Sequence, residues 1–220
     1  MNMLKTTILI LSALACACPT RAQQLDAAQM AAARTKAQVC FACHGPDGNS
    51  TVGEYPILAG QSWRYIYIEL KDFKAGHRSD EQMSPVAEKL STEDMMLLGE
   101  FFAAQKQAPI KFPVDAAKVE AGRKVSDAVL CPMCHLGGFV GQNEIPRVAG
   151  QWPQYIKKQL ADFKARRRTN DAGNMTSVAS TLSDADIENL SQYIGNLTTG
   201  SHPEAGKANK ESVRRKAKGA

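Results

Sequence analysis

Ile66, Leu70 and Phe73 recur at three- and four-residue spacing within residues 62–74, and Ile156, Leu160 and Phe163 repeat that spacing within 152–166. A period near 3.6 puts each trio on one helical face, so both stretches are predicted to be amphipathic helices. Alanine-rich stretches at 26–39 and 115–129 predict a helix leading into each of two cysteine pairs. Ser91 and Ser183, each with an aspartate three residues on, approximate capping boxes that open a last helix. No alternating run of useful length appears, and the segments rich in Gly, Pro and Asn read as long loops. The expected fold class is all-α.

The pattern occurs twice. Tyr55-Pro-Ile-Leu-Ala-Gly-Gln61 matches Ile145-Pro-Arg-Val-Ala-Gly-Gln151, and Tyr65–Lys74 matches Tyr155–Lys164, at an offset of 90. Met83–Ala87 matches Met175–Ala179 and Leu90–Asp94 matches Leu182–Asp186 at an offset of 92. Periods this long describe a duplicated domain, not a solenoid. The expected division is 23–108 for the first domain, 109–114 for a linker within the proline-bearing Gln105–Pro113 stretch, and 115–199 for the second. A module of this size with three short helices buries little apolar area of its own, so something else is expected at its centre.

Residues 1–22, with Lys5, an apolar run from Ile8 to Leu14 and small residues ending at Ala22, have the pattern of a cleaved signal peptide, which implies export. Residues 200–220 form a polar tail with the look of disorder; 201–220 hold six basic and two acidic residues. With leader and tail set aside, the body has 19 basic and 20 acidic residues despite the formal +5 of the chain, which removes the main support for nucleic-acid binding. The tail's cations could instead favour an anionic lipid surface, a route to peripheral membrane association.

The candidate chemistry lies at Cys40-Phe-Ala-Cys43-His44 and Cys131-Pro-Met-Cys134-His135. C-x-x-C-H is a signature of covalent haem attachment: two thiols at a helix end reach the two vinyl groups, and the next residue lies beneath the iron. A disulfide in each pair would not require a histidine after both, a thioredoxin-like pair needs a βαβ context, and one zinc held by all four thiolates would leave both histidines unused. Two haem c groups are therefore expected, with His44 and His135 as proximal ligands. Met83 and Met175 fall at equivalent repeat positions in loops ahead of the last helix and are the candidate sixth ligands. Met95 and Met96, by contrast, pair with Ile187 and Glu188 and read as packing. His77, whose repeat partner is Arg167, reads as a surface residue, and His202 as solvated. The carbonyls of Pro56 and Pro146 are candidate acceptors for the second nitrogen of each imidazole.

CFACHGPDGNS, Pro-Ile-Leu-Ala-Gly-Gln, the Asp-Phe-Lys segments and the two methionine loops resemble the dihaem cytochromes c of the c4 type, two tandem class I cytochrome c domains, over residues 28–198. The resemblance implies haem attachment at Cys40, Cys43, Cys131 and Cys134, and iron ligation by His44, Met83, His135 and Met175. It also implies a periplasmic, non-enzymatic electron carrier between a quinol-oxidising cytochrome bc complex and a terminal oxidase or other reductase. Two other roles stand beside it, an electron-transfer subunit of a larger dehydrogenase or reductase and a dihaem peroxidase-like enzyme; paired methionines argue against the latter, since a filled sixth position excludes oxygen and peroxide. In two places the chain departs from the pattern: Leu136-Gly-Gly-Phe139 stands where the first motif has Gly45-Pro-Asp-Gly48, and the basic tail has no counterpart.

Overall fold

The computed structural model describes residues 25–198. The leader at 1–22, and the tail at 200–220 with His202, lie outside them. Among the described residues nine α-helices run in order: α1 Ala27–His44, α2 Trp63–Ala75, α3 Met83–Glu88, α4 Thr92–Ala103, α5 Ala116–Ala128, α6 Cys131–His135, α7 Pro153–Lys164, α8 Asn174–Ser180 and α9 Asp184–Asn196. Single 3₁₀ turns follow each C-x-x-C-H motif, at Pro46–Gly48 and Gly137–Phe139. No strand occurs among the described residues; their one isolated bridge pairs Gln142 with Ile145.

Local chemistry sets the boundaries. Asp26 caps α1 with a full capping box through Gln29, and Ser91 and Ser183 do the same for α4 and α9 through Asp94 and Asp186. Each box satisfies two backbone N–H groups that the helix cannot reach. We expect Ser183→Ala to lower stability by about 1 kcal/mol, read as a shift of the urea midpoint without a change in slope.

Each half has its own core. In the first, α1, α2 and α4 bury Ala33, Ala37, Ile66, Leu70, Met95, Leu98, Phe101 and Phe102 together. In the second, Ile156 and Leu160 of α7 meet Ile187, Leu190 and Ile194 of α9 beside Phe139, Ala149 and Leu182. The two cores distribute bulk differently. Gly48 sits at φ 80° with no room for a side chain, since a Cβ there would lie 2.7 Å from the Phe102 ring. Its counterpart Phe139 adopts φ 57° and fills the equivalent space, edge-on to Tyr193 at 5.9 Å and stacked on His135 at 6.5 Å. Volume removed from α9 relative to α4 is thus returned by the loop, which accounts for the divergent sequence after the second motif.

Two expectations change. The alanine-rich stretch before Cys131 does not lead straight into it: α5 stops at Ala128, and Leu130 turns left-handed at φ 60° before α6 begins. The buried pair Gly122 and Ser126 takes the place of Ala33 and Ala37 at an offset of 89, whereas the motifs are 91 apart, so the break absorbs two extra residues. Met83 and Met175 lie not in open loops but in the short helices α3 and α8.

The halves meet through a third apolar cluster, Ile57, Ala59 and Trp152 with Ile110, Phe112 and Tyr155 packed on it, and through a buried polar network. Arg78 donates to Glu69 at 2.5 Å, Arg168 donates to the other Glu69 oxygen, and both guanidinium groups donate to Gln159 Oε1, at 2.9 and 2.8 Å. The arms cross: Arg78 reaches Tyr155 and Arg168 reaches Tyr65, each at 3.1 Å. Each guanidinium also lies 4.5 Å above a phenylalanine of its own half, Phe73 or Phe163. Burial alone would raise the Glu69 carboxyl, but the two arginines outweigh it and hold it below the usual range.

Candidate functional site

α1 and α6 end alike: each delivers two cysteines and a histidine on consecutive turns, and Gly45 or Leu136, both at positive φ, turns the chain back over the imidazole. His44 and His135 are buried, at 5% and 9% exposure. His44 Nδ1 donates to the Pro56 carbonyl at 2.9 Å and His135 Nδ1 to the Pro146 carbonyl at 3.0 Å, the acceptors expected from the sequence. A donated Nδ1 proton fixes the tautomer and leaves each Nε2 with its lone pair and no protein partner among the described residues. Burial pulls both imidazoles below the usual histidine range, opposed by the bond to each carbonyl.

All four motif thiols are unpaired. Burial pushes the Cys40 and Cys131 thiols up, as for side chains set into an apolar wall. Met83, Cys40, Phe41 and Leu58 each pack against the first core, and Met175, Cys131 and Val148 each pack against the second. In each half one cysteine of the pair, the methionine and a residue of the Pro-x-x-Ala-Gly-Gln segment thus pack against the same core. The two thiols, the imidazole with a free Nε2 and the thioether that each half supplies are a donor set that fits a haem c. Met95 is 3% exposed in the first core, as packing requires, and His77 is exposed, 3.5 Å from Asp72. No group of three or more His, Cys, Asp or Glu side chains placed to hold a metal ion occurs among the described residues.

Two residues near the sites escaped the sequence reading. Ser126 Oγ is wholly buried with no oxygen or nitrogen partner and faces the Cys131 thiol. Arg147 is 5% exposed, has no carboxylate partner among the described residues, and donates to the carbonyls of Ala59, Gly60 and Ala149 at 2.9, 3.1 and 2.7 Å. Burial pushes its guanidinium down to about 10. Its repeat counterpart is Ile57, so no recurrence marked it.

A duplicated all-α chain that sets a C-x-x-C-H motif against a core in each half falls in the class of c-type cytochromes with two haems. No family model matches the chain. Cytochrome c4 of Azotobacter vinelandii is 38% identical over 191 residues, covering 78% of this chain and 90% of that protein. The crystal structure of reduced recombinant cytochrome c4 from Pseudomonas stutzeri superposes with a TM-score of 0.72 at 36% identity, over 77% of this chain and 98% of that one. A thiosulfate dehydrogenase electron acceptor of Thiomonas intermedia (strain K12) is 33% identical over 179 residues, 76% of this chain and 82% of the relative.

The chain belongs to the cytochrome c4 family. It is a dihaem electron-transfer cytochrome, with two covalently attached haem c groups. Among the described residues no helix is long and apolar enough to cross a membrane.

Proposed function

We propose that the protein is a periplasmic carrier of single electrons, exported by cleavage after residue 22, that runs from a quinol-oxidising cytochrome bc complex to a terminal oxidase or other reductase and is not itself an enzyme. The observation that supports it most directly is the presence in each half of a buried imidazole with its Nδ1 donated away, in a half whose core also carries a methionine packed against it. In this reading Cys40, Cys43, Cys131 and Cys134 form the thioether links. His44 and His135 would hold the iron through Nε2, and Met83 and Met175 would supply its remaining protein ligands. Each bound haem supplies a reversible one-electron couple. The chain's own residues hold the ligands: Pro56 and Pro146 orient the imidazoles, and the apolar walls keep water away, which with a soft thioether favours the ferrous state and a positive potential. The domain limits 23–108, 109–114 and 115–199 belong to the same reading, with one haem to each domain.

Residues 23–110 hold 8 basic and 11 acidic side chains and residues 111–200 hold 11 and 9, so the two ends differ in sign. Such a molecule is oriented in a partner's field, and its reduction by a physiological donor is expected to slow as ionic strength rises. A second reading of the partner, as the electron-accepting subunit of a dehydrogenase, is favoured by the likeness to the Thiomonas intermedia protein.

The test is an optical spectrum of the exported protein in both oxidation states, with a pyridine haemochrome count and exposure to carbon monoxide. Two haems per chain, both low-spin and inert to carbon monoxide, are expected. One haem high-spin or open to carbon monoxide would reject methionine ligation there and point to an enzyme.

A further inference from the structure

Pro56 C=O and Ile57 N–H belong to one peptide group, and Pro146 C=O and Arg147 N–H to another. The carbonyl side of each accepts the Nδ1 proton of the histidine in its own half. The amide side is met from the opposite half. Ile57 N–H donates to Gln151 Oε1 at 2.8 Å, and Arg147 N–H donates to Gln61 Oε1 at 2.8 Å. Both glutamines then close a second bond to the same residue, Gln151 Nε2 to the Ile57 carbonyl at 3.0 Å and Gln61 Nε2 to the Arg147 carbonyl at 2.8 Å. Each side-chain amide therefore mimics a strand's peptide laid against its partner. Gln61 is 5% exposed and Gln151 4%, and each Oε1 also accepts the next backbone N–H, from Ser62 at 2.9 Å and Trp152 at 3.1 Å. Those N–H donors fix which end of each amide is oxygen.

The result is two crossed chains of hydrogen bonds. One runs from Gln61 through the 146–147 peptide to His135, the other from Gln151 through the 56–57 peptide to His44. We propose that Gln61 and Gln151 are positioning residues that act across the interface, each setting the basicity of the iron ligand in the other half. This rests on the reading of His44 and His135 as ligands. Hydrogen bonds in series polarise one another. Accepting the peptide's N–H makes its carbonyl oxygen more negative, which draws harder on the Nδ1 proton. The imidazole becomes a stronger donor to iron, and the ferric state gains. Cutting the chain at its glutamine therefore raises the reduction potential of the haem in the opposite half. A local packing effect would fall in the mutated half, and a general loosening of the interface would move both haems alike.

The experiment uses the full-length holoprotein carrying Gln61→Leu, Gln61→Glu, Gln151→Leu or Gln151→Glu. The two potentials are measured by spectroelectrochemical titration and assigned to halves through the NMR signals of the methionine methyl groups, using Met83→His and Met175→His as markers. Gln61→Leu is expected to raise the ferrous-to-ferric ratio of the His135 haem at fixed potential by three- to tenfold, up to about 59 mV for a one-electron couple, and to leave the His44 haem nearly unmoved. Gln151→Leu should do the reverse. Gln61→Glu keeps a stronger acceptor and should lower the His135 haem more than the other, so it carries the test alone if the leucine variant does not accumulate. Equal shifts, shifts in the mutated half, or none would overturn the proposal. His44→Gly and His135→Gly test the ligand reading separately: each should open only its own haem to carbon monoxide. If they do and the glutamine variants move the wrong haem, the cross-interface proposal alone fails.

Discussion

Glu69→Ala is expected to destabilise the protein by about 3–5 kcal/mol, the usual cost of removing one partner from a buried ion network. Among the described residues Glu69 is the sole carboxylate bonded to either guanidinium of the pair Arg78 and Arg168, and all three residues are 7–8% exposed. Without it two buried cations face each other with neutral acceptors alone among the described residues: Gln159 Oε1, Asn170 Oδ1, Tyr65 and Tyr155. The folded Glu69 carboxyl is held below its ordinary value, so this contribution is present at neutral pH and is lost as the pH falls through the folded value. Glu69→Gln preserves shape and makes the centre of the interface match Gln159 on the other side, but turns a donor toward donors; its loss should fall between wild type and alanine. Urea unfolding at neutral pH reads both, and a loss under about 1 kcal/mol for Glu69→Ala would mean that water or movement of the halves relieves the charges. Because the network spans the interface, the lost stability should appear first as separation of the halves, seen as added ionic-strength dependence of the unfolding midpoint.

What the sequence disclosed, and what it withheld, follows from where the physics is local. The helices α2 and α7 were legible because Ile66, Leu70, Phe73 and their counterparts bury one face. The capped starts of α4 and α9 were legible because a serine and an aspartate three residues apart satisfy each other's backbone. The cysteine and histidine spacing was legible because covalent chemistry dictates it. The Pro56 and Pro146 acceptors were legible because the imidazole needs a partner and the repeat offered one in each half. The pairing of Glu69 with Arg168, and of Arg168 with Tyr65, was not: these partners lie about 100 residues apart, and a polar residue gives no sign along the chain of what it will face. The helices α3 and α8 are too short to display a period, and the left-handed Leu130 carries none of the usual marks of a turn, being neither glycine nor asparagine. Gln61 and Gln151 were seen only as letters in a repeat; their crossed bonds appear once the halves are brought together.

Gly122→Ala sets two effects of opposite sign against each other. Alanine in the middle of α5 is favoured over glycine by about 0.8–1 kcal/mol through backbone entropy. A Cβ at this position, however, would lie 2.1 Å from the carbonyl oxygen of Asn189 and 2.8 Å from Tyr193 Cβ, and the nearest obstacle is backbone of α9, which cannot swing aside like a side chain. The helices must separate instead. Overpacking of this kind costs about 1–3 kcal/mol or more, so the contact outweighs the propensity and the variant should unfold at a lower urea concentration than wild type. Larger side chains sharpen the test: Gly122→Val should prevent the second half from closing, while the first, whose helix carries Ala33 at the matching place with 0% exposure, is unaffected directly. The damage should therefore be one-sided. In the optical spectrum of Gly122→Ala, the haem of the second half should lose its low-spin form at lower urea than the haem of the first. A variant more stable than wild type would show that α5 and α9 can part freely, and that glycine at 122 is not required by their crossing.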